Sequence, residues 1–142
     1  MVSMDATLMP RIVVLSSAVA FASGTLAGFQ GQEGAWVVPE EARAVPSPIE
    51  NTPEALAAGG VLFKKHCVMC HGETAKGDGP ATKFMKPAPP DISTGEAKAR
   101  MTDGEIFYKI TTGKRPMPQM DKKLSETERW QVVLYVRSLQ VN

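Results

Sequence analysis

A chain of 142 residues is long enough for one compact domain of ordinary size, with a remainder at one end. Apolar residues make up 43% and charged residues 22%, ordinary values for a soluble globular protein, and a formal net charge of +1 excludes the strongly basic balance of a nucleic-acid binder. Residues 50–142 hold 14 Lys plus Arg against 11 Asp plus Glu, which permits a weakly basic docking face and names no partner.

In chain order the first feature is Ile12–Phe29 (IVVLSSAVAFASGTLAGF), an uncharged and mostly apolar run behind Arg11. It reads as an export segment, with small residues that fit an A-x-A cleavage site at Ala20-Phe21-Ala22 or in the stretch ending at Ala27. Its 18 residues lie at the lower limit for crossing a ~30 Å hydrocarbon core, so residues 1–29 are either a cleaved signal peptide or a retained membrane anchor. With no cysteine ahead of Cys67, a lipid-anchored lipoprotein is excluded. Either route predicts a periplasmic location or the extracytoplasmic face of the membrane, where cysteines are oxidised unless chemically occupied.

Residues 30–51 contain Pro39, Pro46 and Pro48 and the acidic pair Glu40-Glu41, and read as a linker. Extended near 3.1 Å per residue, such a segment reaches on the order of 60 Å and would let a tethered domain swing between partners. The alternative is that Trp36-Val37-Val38 docks on the domain.

The domain itself is predicted over 52–142 and is all-α. Thr52-Pro53-Glu54 opens the first helix, with Thr as N-cap and Pro at the first helical position, where a missing N–H costs nothing. Leu56, Gly60, Phe63 and Cys67 then recur at helical spacing. Thr102-Asp103-Gly104-Glu105 has the capping-box pattern for a second helix, with Ile106, Phe107 and Ile110 along one side and Gly113 as its stop. Ser125-Glu126-Thr127-Glu128 opens a third, which runs through Trp130, Val132, Val133, Tyr135, Val136 and Leu139. The loops between, rich in Gly and Pro, are long for so few helices and call for something central to pack against.

That centre is indicated by Cys67-Val68-Met69-Cys70-His71, which holds the only two cysteines. Thiols three residues apart on a terminal helical turn face the same way, and an imidazole follows directly. The arrangement fits a c-type haem: each thiol adds across a vinyl group, and the imidazole ligates the iron as proximal ligand. Three rivals fit less well. A thioredoxin-like dithiol wants a βαβ setting, and no stretch here alternates as a strand. A structural zinc needs four protein ligands, and Cys67, Cys70, His66 and His71 crowd into six residues. A disulfide closing so short a loop would add little stability.

From about Thr52 onward the chain resembles the class I monohaem c-type cytochromes of bacteria. The resemblance rests on Gly59 and Phe63 ahead of the Cys-x-x-Cys-His motif, on Gly77-Asp78-Gly79-Pro80, on Gly113-Lys114-Arg115-Pro116-Met117-Pro118, and on Trp130 through Leu139. It implies a cytochrome c-like domain of three main helices and long loops wrapped around one covalently bound haem. It further implies that Met117, directly ahead of a proline, is the distal iron ligand, with Met120 a competitor in the same loop and Met69, Met85 and Met101 packing residues. Pro80 would offer its carbonyl to His71 Nδ1–H. Gly59, Phe63, Val132 and Tyr135 would form the crossing of the terminal helices, Trp130 would pack near the haem edge, and His66 would be exposed. Lys64, Lys65, Lys83, Lys86, Lys114, Arg115, Lys122 and Lys123 would form either a positive rim that steers an acidic redox partner or a plain solvated surface.

The expected function is one-electron transfer in a bacterial respiratory or dehydrogenase-linked chain, with no catalytic residues and with other redox proteins as partners. The cofactor-binding residues are Cys67, Cys70, His71, Met117 and Pro80, and the iron ligands His71 and Met117. Two alternatives are a haem subunit dedicated to one larger oxidoreductase and a haem sensor or peroxidase-like protein with an open axial site.

Overall fold

A computed structural model describes residues 36–140. Among these the chain forms α1 (Glu40–Arg43), α2 (Pro53–His66), α3 (Val68–His71), a 3₁₀ turn (Pro80–Phe84), α4 (Gly95–Arg100), α5 (Asp103–Thr112) and α6 (Glu126–Leu139), and no strand. No helix among the described residues is long and apolar enough to cross a membrane. The expected signal or anchor over 1–29 lies outside the described residues.

The three main helices begin at their expected caps. The Thr52 hydroxyl accepts the Ala55 N–H at 3.2 Å, and Ser125 closes a full capping box with Glu128. At α5 the box is only half made. Thr102 accepts the Glu105 N–H at 3.1 Å, but the Glu105 carboxylate does not reach back to the cap, because Arg43 and Lys109 hold it instead.

The domain is built on the crossing of α2 and α6. A Cβ on Gly59 would lie 2.1 Å from the Gln131 carbonyl oxygen, so the two backbones touch where that side chain is missing. One turn on, the Phe63 ring meets Tyr135 with centroids 5.4 Å apart. Phe63, Trp130, Val132 and Val133 are the largest fully buried side chains, and burying each contributes roughly 1.5–3 kcal/mol. Across the core, Phe107 of α5 stacks on Trp130 of α6 at 4.1 Å. Arg137 locks the other end of α6: its Nε donates to Asp103, its Nη2 to the Met101 carbonyl at 2.6 Å and its Nη1 to the Lys98 carbonyl at 3.2 Å.

The described part of the expected linker is not free. Residues 36–49 form a strap on α5, as in the docking alternative. Val38 is buried, Thr102 Oγ1 donates to the Arg43 carbonyl at 2.8 Å, and the Trp36 ring lies 5.8 Å from Lys109 Nζ. A Cβ on Gly104 would stand 2.1 Å from the Ala42 carbonyl oxygen, so α1 rests directly on the first turn of α5. Glu105, its side chain only 6% exposed, is the shared anion of Arg43 and of Lys109, the latter at 2.6 Å. A buried carboxylate is stable only when paired in this way.

Two outcomes follow. Gly59→Ala lowers stability by roughly 1–3 kcal/mol, seen as a lower denaturation midpoint, although alanine is the better helix former; an unchanged midpoint would show that the backbones have room. Glu105→Ala costs about 1–3 kcal/mol and exposes residues 36–49 to limited proteolysis. A strap equally resistant to protease in that variant would mean that the ion pairs do not hold it.

Candidate haem site

The site begins where α2 ends. Cys67 is the C-cap of α2, its N–H bonded to the Phe63 carbonyl at 2.8 Å. Its own carbonyl then accepts from Cys70 N–H at 3.1 Å and His71 N–H at 2.9 Å, which makes α3 a single turn hung from one oxygen. Both thiols are half-buried and free, as the motif requires. Burial, with the neighbouring Cys70 adding to it, pushes the Cys67 thiol up to about 12, so it is protonated at neutral pH. Burial pushes the pKa of His71 down, which keeps its imidazole neutral and its lone pair available.

The segment after the motif folds back on it. Gly77 N–H bonds to the His71 carbonyl at 2.8 Å and Gly79 N–H to the Cys70 carbonyl at 3.3 Å, and the 3₁₀ turn packs against α3. The expected bond from His71 Nδ1–H to the Pro80 carbonyl is not made. Nδ1 is buried without a hydrogen-bond partner, and Pro80 is the exposed first residue of the 3₁₀ turn.

Met117 stands in the loop after α5. The loop is pinned by a reciprocal pair of backbone bonds, Lys114 N–H to the Met117 carbonyl at 3.0 Å and Met117 N–H to the Lys114 carbonyl at 2.8 Å. Met117 is half-buried and lines an open cavity of about 750 Å³ together with Lys86 and residues 112–119. Met120, its competitor, is 5% exposed and belongs to the core with Ile110, Leu124 and Trp130. Met101 packs in the same core, whereas Met69 is 59% exposed. His66 is half-buried rather than exposed and sits close enough to Glu128 to lower that carboxyl's pKa, after its bonds to Ser125. All eight basic residues of the expected rim are exposed, and of these Lys86, Lys114 and Arg115 line the cavity. Thr112 and Gln119 line it too. Nothing in the sequence singles them out, because they meet Lys86 only through a long-range fold of the chain.

The donor set fits a haem and not a bare ion. Among the described residues no three His, Cys, Asp or Glu side chains converge as they would around a metal. Cys67, Cys70 and His71 instead follow one another along a turn, so that two sulfurs can bond a macrocycle's edge while the imidazole reaches its centre. A soft thioether, that of Met117, stands in the cavity-lining loop.

A comparison with curated protein sequences finds no match. Among solved structures, the chain is similar to a chain of the reducing HAO-like protein complex of Kuenenia stuttgartiensis, at 30% identity and a TM-score of 0.60 over 77% of this chain and 53% of that one. It is also similar to cytochrome CL of the marine methylotrophic bacterium Methylophaga aminisulfidivorans, at 28% identity and a TM-score of 0.50 over 63% of this chain and 57% of that one. The c-type cytochrome KustC0563 shares the fold at 24% identity and a TM-score of 0.52, over 58% of this chain and 98% of that one. The chain thus spans little more than half the length of the first two, at 53% and 57%. The family model described as cytochrome c oxidase, cbb3-type, subunit III matches residues 54–136, from the second residue of α2 nearly to the end of α6. With more than half of its length matched, the chain belongs to this family of c-type cytochromes.

Proposed function

We propose that the protein is a one-electron carrier with a single covalently bound haem c, attached through Cys67 and Cys70 and ligated by His71 and Met117. The observation that carries this reading is the end of α2, where two free, half-buried thiols and a neutral, half-buried imidazole share one short turn. When bound, the haem supplies an iron that passes a single electron by cycling between its ferric and ferrous states. The chain's part is to hold and to tune. α2 and α3 fix the sulfurs and the imidazole, and burial keeps that imidazole unprotonated and able to donate its lone pair. The loop pinned by the bonded pair Lys114 and Met117 would offer the iron a thioether, a soft donor that favours the ferrous state. No side chain is required as an acid or a base.

The reading puts the protein in a bacterial respiratory or dehydrogenase-linked chain, exported by residues 1–29 as signal peptide or anchor to the periplasm or the outer face of the membrane. Residues 36–49, being docked on the domain, add nothing to the reach of a tether. A second reading is a haem subunit dedicated to one larger oxidoreductase. It is favoured by the family's description as an oxidase subunit and by the similarity to a chain of the HAO-like complex.

Absorption spectra and mass test the ligand set. Met117→Leu abolishes the thioether-to-iron band at the red edge of the spectrum, whereas Met120→Leu leaves it in place. Met120→Ala instead costs about 2–5 kcal/mol of stability, because it empties a core position. Protein matured where haem is attached weighs one haem more than its polypeptide, and the Cys67→Ser, Cys70→Ser double variant does not. Ready binding of carbon monoxide by the reduced wild type would overturn the His/Met assignment in favour of an open axial site.

A further inference from the structure

The loop that carries Met117 has both ends tied to the last turn of α5. At its start the Gly113 N–H donates to the Lys109 carbonyl at 3.0 Å, and at its far end the Met120 N–H donates to the Ile110 carbonyl at 3.1 Å. The loop therefore hangs from two consecutive carbonyls. Whatever shifts Lys109 and Ile110 shifts both ends together, and with them the backbone pair of Lys114 and Met117.

Lys109 is also the residue that the strap grips. Its Nζ donates to Glu105 at 2.6 Å and lies 5.8 Å from the centroid of the Trp36 ring, within reach of a cation–π contact. Glu105 in turn is paired with Arg43. The strap thus reaches Lys109 twice, directly from Trp36 and through Glu105 from Arg43. With the Glu105 side chain 6% exposed and that of Lys109 22%, solvent screens these charges only weakly. Residues 36–49 precede the family match at 54–136, so this grip is added to the domain from outside the part that the family shares.

We propose that the strap braces the loop of the distal iron ligand: Trp36, Arg43 and Glu105 act as positioning residues that hold its root through Lys109 and so keep the Met117 sulfur on the iron. The proposal rests on the haem reading with Met117 as ligand. A thioether is a soft donor and holds ferric iron less firmly than ferrous iron, so loss of the brace shows first in the oxidised protein.

Imidazole is the probe, because it takes the place of Met117 on ferric iron only after the thioether has left. One iron–sulfur bond breaks, one iron–nitrogen bond forms, and no electron moves. The matured full-length holoprotein is compared with Arg43→Gln, Arg43→Lys and Trp36→Leu, and with Thr94→Ala, which removes the N-cap of α4 and none of the contacts just named. Imidazole binds at least about fivefold more tightly to Arg43→Gln and Trp36→Leu, the low end of ordinary coupling between sites. Arg43→Lys returns most of the way to the wild type. Amide exchange of Gly113 and Met120 quickens in the same two variants, a readout independent of the iron. Thr94→Ala lowers the denaturation midpoint and leaves both readouts in place. Either readout staying put in both strap variants overturns the proposal, as does an equal rise in Thr94→Ala, which would make the effect one of general stability. A wild type with no thioether band takes Met117 off the iron and the proposal with it, whereas a band that is present beside an unresponsive loop overturns the brace alone.

Discussion

The position of everything at the site depends on how closely α2 lies on α6. Gly59, Phe63 and Cys67 are spaced four residues apart, so they share one face of α2 and its end. The first of them lets the backbones meet at Gln131, and the second fills the space one turn on against Tyr135. The third is thereby carried, about 12 Å along the helix from Gly59, to a place where its thiol is half-buried. A wider crossing would rotate or lift that face, and the motif would be presented to solvent. The chemistry at Cys67 is thus set by a residue with no side chain, two turns away.

Charge finishes what packing begins. Glu105 lies in the first turn of α5 and Arg137 in the last turn of α6, the ends at which the helix dipoles favour an anion and a cation. Each is also used as a tie. Glu105 draws in Arg43 from the strap and Lys109 from its own helix, while Arg137 gathers two carbonyls and Asp103 around the junction of α4 and α5. Buried ion pairs contribute little net stability but penalise every arrangement that leaves one partner alone. Their consequence here is a unique placement of α5, the helix whose end leads into the loop that carries Met117.

What could be read from the residues follows from the range of the interactions involved. The long helices were legible because Thr52, Thr102 and Ser125 act on N–H groups three residues on. The Cys67–His71 turn was legible for the same reason. The strap was obscured, since Pro39, Pro46 and Pro48 imitate a free linker and the pairing of Arg43 with Glu105 joins residues 62 apart. That same pairing explains why the second capping box failed: a local rule lost its carboxylate to a distant cation. The hydrogen bond from His71 to Pro80 is a different case, since the direction in which a carbonyl points is not fixed by spacing along the chain. The short helices α1 and α4, four and six residues long, carry too few periods to be recognised in a sequence.

The two methionines of the loop after α5 show how a segment without regular structure gains a defined geometry. Met120 is anchored twice over: its side chain is in the core, and its N–H bonds to the Ile110 carbonyl at 3.1 Å. Gly113, at the other end, caps α5 through its N–H to Lys109. Between these fixed points only a short excursion is left, and the bonded pair of Lys114 with Met117 narrows it to a tight turn. Met117 is consequently held by this backbone pair and by its half-buried side chain, which packs against the edge of the core at the cavity wall. Met120, the more deeply packed of the two, is therefore the one less able to move, and its packing steadies the loop that carries Met117.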